Sequence, residues 1–217
     1  MNAPLHYEIR QPSSMDSSKT YPALFVLHGM GSNEHDLLPL VEKLADQFII
    51  FNLRGPISQP PGYAFFTIEG FGKPHRTVFE DAMSKLTEFL DYAVANYPVD
   101  KDYVYFMGFS QGAISSMSLS TRIPARIRGV LALSGYVPDF IQKEDILPSA
   151  NHVRYFISHG QQDPVLPYQW GEAARDFFTS RKADVTFQSY PDAHFVSMPV
   201  YEDFTAWLLK DVASKTN

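Results

Sequence analysis

Short apolar segments alternate with longer segments of helical periodicity along this chain, and this alternation restricts its fold more than any other feature. The predicted strands are apolar over almost their whole length, which is typical of strands covered on both faces of a parallel sheet. They span residues 23–27, 48–51, 103–107, 130–133, 155–158 and 185–190. Their apolar character, together with the intervening helical segments, predicts an α/β fold.

The predicted helices span residues 36–46, 78–96, 111–121, 170–178 and 201–212. The longest, 78–96, has apolar residues spaced by three and four positions, and Pro98 ends it. No segment has the composition of a linker, so we expect a single domain over residues 1–217. Its central sheet should be mainly parallel, with helices on both faces and no separate cap domain.

The composition excludes several classes of function. The chain contains no cysteine, which excludes disulfides, cysteine-ligated metal sites and cysteine nucleophiles. Its 18 Lys and Arg against 24 Asp and Glu leave a net charge of −6, spread along the sequence. Nucleic-acid binding and stable membrane association need a basic surface, so neither is expected. Residues 1–14 lack the pattern of a signal peptide, and a cytoplasmic location is predicted.

Two segments, 55–75 and 135–152, do not follow the strand–helix alternation. Long loops in a compact domain are usually lids or pocket walls, and the alternative is an Ω-loop packed by its own aromatic residues. Phe66 and Phe71 in the first segment, with Val165 further along the chain, are the predicted substrate-binding residues.

Residues 108–112 read Gly-Phe-Ser-Gln-Gly and match the G-x-S-x-G pattern of a nucleophile elbow. The motif follows a predicted strand and precedes a predicted helix, as an elbow requires. Glycines two positions before and after Ser110 allow the neighbouring backbones to approach closely. The helix N-terminus behind the serine provides partial positive charge and the N–H of Gln111. An ordinary Gly-Ser-Gly turn is the alternative.

A serine hydroxyl needs a base to accept its proton. In folds with such an elbow, the acid and then the histidine follow the serine along the chain. His152, His159 and His194 are the histidines that follow Ser110. His159 closes a predicted strand, whereas His194 lies in the loop between the last strand and the last helix, which makes His194 the predicted base.

Asp163 is the predicted acid because it comes directly after the strand that precedes the last one. Asp139 follows the strand before that and is its main rival. Asp192 is too near His194 in sequence to orient the imidazole ring easily. A solvated loop aspartate is the alternative for each of the three.

The loop after the first predicted strand reads His28-Gly29-Met30-Gly31-Ser32. Its glycines permit a backbone that turns the N–H of Met30 towards an oxyanion. A phosphate-binding G-x-G-x-x-G is excluded because position 34 is Glu. The sequence contains no H-E-x-x-H motif either, so neither a metal nor a cofactor is expected.

Four segments resemble the phospholipase/carboxylesterase family of α/β-hydrolases, which includes the acyl-protein thioesterases. They are 27–31 (LHGMG), 108–113 (GFSQGA), 133–138 (LSGYVP) and 159–167 (HGQQDPVLP). The resemblance implies a Ser110, Asp163 and His194 triad and an oxyanion hole formed by the N–H groups of Met30 and Gln111. The family commonly has glycine before the catalytic histidine, where this chain has Ala193, and segment 55–75 does not align firmly.

These observations predict a serine carboxylesterase that hydrolyses esters of small to medium acyl groups through an acyl intermediate on Ser110. Its partner would be a small-molecule ester or thioester. A lysophospholipase or acyl-protein thioesterase is the alternative enzyme, but no basic amphipathic helix supports a membrane-borne substrate. A catalytically silent binding protein of the same fold is the alternative from another class.

Overall fold

The computed structural model describes residues 2–144 and 147–213. The strands of its central sheet are β1 (Tyr7–Arg10), β2 (Tyr21–Leu27) and β3 (Ile49–Leu53), followed after two hairpins by β8 (Val99–Phe109), β9 (Gly129–Leu133), β10 (Arg154–Gly160) and β11 (Asp184–Tyr190). The two hairpins consist of β4 (Ile57–Gln59) with β5 (Gly62–Ala64), and of β6 (Ile68–Gly70) with β7 (Lys73–Pro74).

The seven strands of the central sheet lie in the order β1-β3-β2-β8-β9-β10-β11. Every neighbouring pair is parallel except β1 with β3. The register pairs Leu27 with Gly108, Phe109 with Leu133, and Gly160 with Tyr190. The carboxyl ends of the six parallel strands therefore lie at one edge of the sheet, where the loops that follow them meet.

Helices cover both faces of this sheet. They are α1 (Leu38–Val41), α2 (Arg76–Asn96), α3 (Gln111–Arg122), α4 (Asp139–Gln142), α5 (Tyr168–Ser180) and α6 (Met198–Ala213). Apolar side chains of α2, α3 and α5 belong to one buried cluster, and those of α1 and α6 belong to the other. In the first cluster, the ring of Phe25 stacks between those of Phe51 and Phe106 at centroid distances of 5.0 and 4.8 Å. Both faces of the sheet are thus buried, as its apolar strands require.

The predicted strands and four of the predicted helices are present, with their ends displaced by a few residues. The predicted helix 36–46 is wrong, because this segment forms the single turn α1 followed by a 3₁₀ helix, Glu42–Asp46. Pro39 lacks an N–H and is tolerated in the first turn of a helix, so an α-helix cannot extend far before it. Strand β1 was missed because it is a short, half-buried edge strand with polar residues.

Segment 55–75 is not an Ω-loop, because it forms the two hairpins. Phe65 and Phe66 lie between them and are buried in the core, whereas Phe71 at the tip of the second hairpin is 69% exposed. In segment 135–152 the structure has helix α4, and residues 145–146 lie outside the described residues. In the described parts of the chain, these segments, rather than a separate cap domain, flank the carboxyl edge of the sheet.

Candidate active site

Ser110 lies between β8 and α3 with φ 53° and ψ −115°, a conformation that residues other than glycine rarely adopt. The glycines on either side allow this turn to pack closely. A Cβ atom on Gly108 would lie 2.1 Å from the carbonyl carbon of Gly112, and one on Gly112 would lie 2.0 Å from the carbonyl oxygen of Leu27. Larger residues at either position would force the elbow apart. The strained serine has the geometry of a nucleophile elbow.

His194 lies between Ser110 and Asp163. Its Nε2 is 2.9 Å from Ser110 Oγ, and its Nδ1 is 2.6 Å from Asp163 Oδ2. A carboxylate accepts hydrogen bonds, so Nδ1 carries the proton and the Nε2 lone pair faces the serine hydroxyl. The structure therefore brings together the three predicted catalytic residues from loops that follow three different strands.

The Asp163 carboxylate is buried and accepts hydrogen bonds through both oxygens. Its Oδ1 accepts the backbone N–H groups of Val165 and Leu166 at 2.8 and 2.9 Å. Burial raises the pKa of Asp163, but the hydrogen bonds from His194 and from these N–H groups outweigh that effect and hold the pKa below its usual value. Asp163 is thus an acceptor-only group that orients the imidazole ring.

The rival residues lie elsewhere. Asp139 is exposed at the start of α4, where its carboxylate pairs with Lys143 at 3.3 Å. Asp192 accepts a hydrogen bond from Ser197 Oγ at 2.5 Å, and His152 Nε2 is 2.9 Å from the carbonyl oxygen of Pro124.

Ala193 is not among the described residues with positive φ, so its methyl group adds no backbone strain.

His159 is buried in β10 beneath the acid. Its Nε2 donates to the carbonyl oxygen of Leu166 at 3.0 Å and lies 3.6 Å from Asp163 Oδ2. Burial lowers the pKa of this imidazole, so His159 is neutral and holds the loop that carries Asp163. Sequence reasoning assigned it only to the strand end.

The backbone N–H groups of Met30 and Gln111 donate to no residue in the described ranges. The loop that carries Met30 is held by two backbone hydrogen bonds to the first hairpin. Gly31 N–H donates to the carbonyl of Tyr63 at 2.8 Å, and Tyr63 N–H donates to that of Ser32 at 2.7 Å. Two free donors beside Ser110, one of them on a fixed loop, can stabilise a negatively charged oxygen.

Two buried polar groups support the same loop. His28 Nδ1 donates to the carbonyl of Gly29 at 2.7 Å, while its Nε2 accepts the N–H of Gly55 at 3.0 Å. Glu34 accepts two hydrogen bonds from Arg54, the one from Nε at 2.7 Å. Arg54 also donates to the hydroxyl of Tyr63 at 3.2 Å. The hydrogen bonds from Arg54 lower the pKa of Glu34 to about 2 despite burial.

This pKa shift predicts an acid-dependent stability. The carboxyl of Glu34 ordinarily has a pKa of 4.5, so its contribution is complete above that pH and is lost as pH falls through about 2. Glu34→Gln should lower the free energy of unfolding at pH 7 by about 1–3 kcal/mol, because Arg54 loses a charged acceptor. The deficit relative to the wild type should shrink between pH 4.5 and pH 2, measured by urea unfolding.

The exposed Glu202 provides the control, since Glu202→Gln should change the unfolding free energy little at any pH. A deficit for Glu34→Gln that stays constant from pH 7 to pH 2.5 would contradict the assignment of the shift to the Arg54 pair.

The side chain of Gln111 connects the elbow to the segment between the hairpins. Its Oε1 accepts the N–H of Phe65 and its Nε2 donates to the carbonyl of Phe66, both at 2.7 Å. The amide is buried and satisfies two backbone groups that have no strand partner. Sequence reasoning gave Gln111 only a backbone role, because the partners of its side chain are more than 40 residues away.

A cavity of about 100 Å³ opens beside Ser110 and is called the acyl cavity below. All three predicted substrate-binding residues, Phe66, Phe71 and Val165, line it, and so does Tyr136, which sequence reasoning missed. No group of three or more histidine and carboxylate side chains in the described residues is placed to hold a metal ion. The chemistry available here is that of the serine, the histidine, the carboxylate and the two backbone donors.

The sequence profile of the phospholipase/carboxylesterase family matches residues 13–208. The chain belongs to the phospholipase/carboxylesterase family. Its fold is the α/β-hydrolase fold, and it is a serine hydrolase that acts on carboxylic esters.

Individual relatives cover nearly the whole chain. Acyl-protein thioesterase 1 of Kluyveromyces lactis is 28% identical, over 89% of this chain and 95% of the relative. The crystal structure of a Bacillus cereus carboxylesterase is 27% identical with a TM-score of 0.86, over 96% of this chain and 95% of that one. A Mesorhizobium loti carboxylesterase, 22% identical over 96% of both chains, shares the fold with a TM-score of 0.82. None of the described helices is both long and apolar enough to cross a bilayer.

Proposed function

We propose that Ser110 is the nucleophile of this hydrolase, His194 its base and Asp163 the residue that orients His194. The observation that carries this proposal is the pair of contacts at 2.9 and 2.6 Å from His194 to Ser110 and Asp163. His194 Nε2 accepts the proton of Ser110 as Oγ bonds to the carbonyl carbon of the ester. The buried carboxylate of Asp163 stabilises the imidazolium that results.

Attack by Ser110 gives a tetrahedral intermediate whose former carbonyl oxygen is negatively charged. When this intermediate collapses, the carbonyl re-forms and the bond to the alcohol oxygen breaks. His194 gives its proton to the departing alkoxide, which leaves as the alcohol. The acyl group remains bonded to Ser110 Oγ. Water then attacks this acyl group as His194 accepts its proton. The bond to Ser110 Oγ breaks, His194 returns the proton to Oγ, and the carboxylic acid departs.

The N–H groups of Met30 and Gln111 would stabilise the negative oxygen in both steps. The absence of any described acceptor for either group supports this role, because such donors are ready without rearrangement. The organisation of residues 1–217 as one domain and the cytoplasmic location stay predictions from the sequence.

The size of the acyl cavity supports a short acyl group. An apolar cavity of about 150 Å³ holds benzene, with six carbons, so the acyl cavity has room for about four carbons. Butyrate esters therefore match the cavity, whereas a palmitoyl chain extends well beyond it. The thioesterase relatives favour a second candidate, the hydrolysis of thioesters at the same serine.

Four substrates separate these functions: the butyryl and palmitoyl oxygen esters and the corresponding thioesters. We expect the butyryl pair to have a kcat/KM at least tenfold above the palmitoyl pair, since the longer chain has no place in the acyl cavity. The reverse order would favour a long-chain acyl-protein thioesterase or lysophospholipase. Turnover of none of the four would favour the silent binding protein.

The role of Met30 predicts different results for two substitutions. An oxyanion donor acts through its N–H, which alanine keeps and proline lacks. Met30→Pro should therefore lower turnover by about 10²–10³, while Met30→Ala should keep most of it. Circular dichroism and thermal melting must first show that the proline variant is folded. If a folded Met30→Ala protein is as inactive as Met30→Pro, the side chain and not the N–H is the functional group.

A further inference from the structure

A second cavity, of about 230 Å³, adjoins the acyl cavity. Phe71, Gly72 and Tyr136 line both, so the two spaces meet at these residues. We call the second cavity the polar annex, because Lys73, Asp139 and Gln142 also line it. An acyl group that fills the acyl cavity and continues past Tyr136 enters the polar annex.

The two cavities differ in the chemistry of their walls. Beyond the catalytic residues, the acyl cavity is lined by apolar side chains such as Phe66, Ile68 and Ile114. In the polar annex an alkyl chain would lie beside the exposed charged side chains of Lys73 and Asp139 and would bury less apolar surface than in the acyl cavity. An acyl group with a polar end can form hydrogen bonds there, so the polar annex favours a polar terminus over a long alkyl chain.

Tyr136 is the buried polar residue at the junction. Its side chain is 6% exposed, and its ring packs edge-on against that of Trp170 at a centroid distance of 4.8 Å. Its hydroxyl forms no hydrogen bond with any residue in 2–144 or 147–213. Because this oxygen is not one of the buried polar atoms that lack a partner, it is accessible at the cavity wall and can donate to a ligand. Burial and the charge of Asp139 raise the pKa of Tyr136, so the hydroxyl remains a donor.

The polar annex contains a cation without an ion-pair partner. Lys73 lines the annex and forms no ion pair with the described residues. Asp139 is paired with Lys143 at 3.3 Å, so its charge is compensated locally. The charged residues that line the annex are Lys73 and Asp139, so Lys73 is the cation left to pair with an anionic ligand. A terminal carboxylate could pair with Lys73 and accept a hydrogen bond from Tyr136.

We propose that the polar annex binds the carboxylate at the far end of a dicarboxylic half-ester, the near end of which is the acyl group attacked by Ser110. This inference rests on the proposed function. About four carbons fill the acyl cavity, so a diacid of roughly six carbons brings its second carboxylate to the polar annex. Lys73 and Tyr136 then determine specificity without contacting the reacting atoms.

The test compares 4-nitrophenyl hexanoate with the 4-nitrophenyl half-ester of adipic acid, which has the same chain length and ends in a carboxylate. Enzyme-free hydrolysis is subtracted. We expect kcat/KM to favour the adipate half-ester by about 10- to 100-fold, the value of a hydrogen bond to a charged group. Lys73→Met and Tyr136→Phe should each lower this preference at least tenfold, since each removes one polar group and keeps most of the side chain.

Lys85→Met is the matched control, because Lys85 lies on α2 and pairs with Asp81. It should keep the wild-type preference. Hydrolysis of 4-nitrophenyl butyrate tests the proposed function separately, and its absence would overturn that function. If butyrate is hydrolysed but the wild type and Lys73→Met prefer hexanoate equally, the polar annex does not bind a carboxylate and only this inference fails.

Discussion

Ser110→Ala is expected to lower the turnover of 4-nitrophenyl butyrate by about six orders of magnitude, as loss of the nucleophile does in serine proteases. The substitution removes the only atom that can form the acyl intermediate proposed here. Alanine at φ 53° is as strained as serine, and the lost hydrogen bond to His194 is worth about 1 kcal/mol. The melting temperature should therefore change by a few degrees at most, measured beside kcat on the same preparation.

Ser134 provides a matched control, because it also has φ 53° and is buried at the end of β9. Ser134→Ala should retain turnover close to that of the wild type. An organophosphonate should label Ser110 stoichiometrically in the wild type, as shown by peptide mass spectrometry. Labelling of any other serine would show that the nucleophile is elsewhere.

Asp163→Asn should lower kcat by about 10⁴, by analogy with the serine-protease triad. The amide has the shape of the carboxylate, but it presents an N–H and carries no charge. His194 then adopts the wrong tautomer towards Ser110 and its imidazolium loses stabilisation. The measurement is kcat at saturating butyrate ester, with KM expected to change far less than kcat because Asp163 does not contact the substrate.

Asp139→Asn tests the rival acid under the same conditions. Asp139 is exposed and paired with Lys143, so kcat on the butyrate ester should change less than twofold. A large loss for Asp139→Asn, with little for Asp163→Asn, would transfer the orienting role to the loop after β9.

The elbow and its partners could be predicted from sequence because each depends on local order. The motif at 108–112 follows a strand and precedes a helix, and parallel strands bring the loops after β10 and β11 to the same edge. Strands that are buried on both faces of a parallel sheet must be apolar over nearly their whole length. Their centres can therefore be recognised in the sequence. The structure brings together all three predicted catalytic residues for these reasons.

Contacts between distant segments could not be predicted in this way. The partners of the Gln111 amide lie in a segment whose glycines and prolines favour loops. The first hairpin of this segment pairs with the loop after β2, which is distant in sequence. Tyr136 lies in one of the four segments that resemble the family, but the packing of Trp170 and the second hairpin, which the sequence does not reveal, makes it part of a cavity wall. The prediction of a helix at 36–46 was wrong because it followed the helical pattern of the segment and ignored the restriction that Pro39 places on an α-helix.

The hydrogen bonds from Gln111 to the backbone of Phe65 and Phe66 also limit how the enzyme can be redesigned. An insertion or deletion next to these two residues would shift the backbone that Gln111 holds, and with it the Gln111 N–H that we propose as an oxyanion donor. The second hairpin, from Ile68 to Pro74, lies beyond this connection. Libraries that change its length or sequence should alter substrate range while the nucleophile keeps its geometry, which makes the hairpin the safer segment for directed evolution.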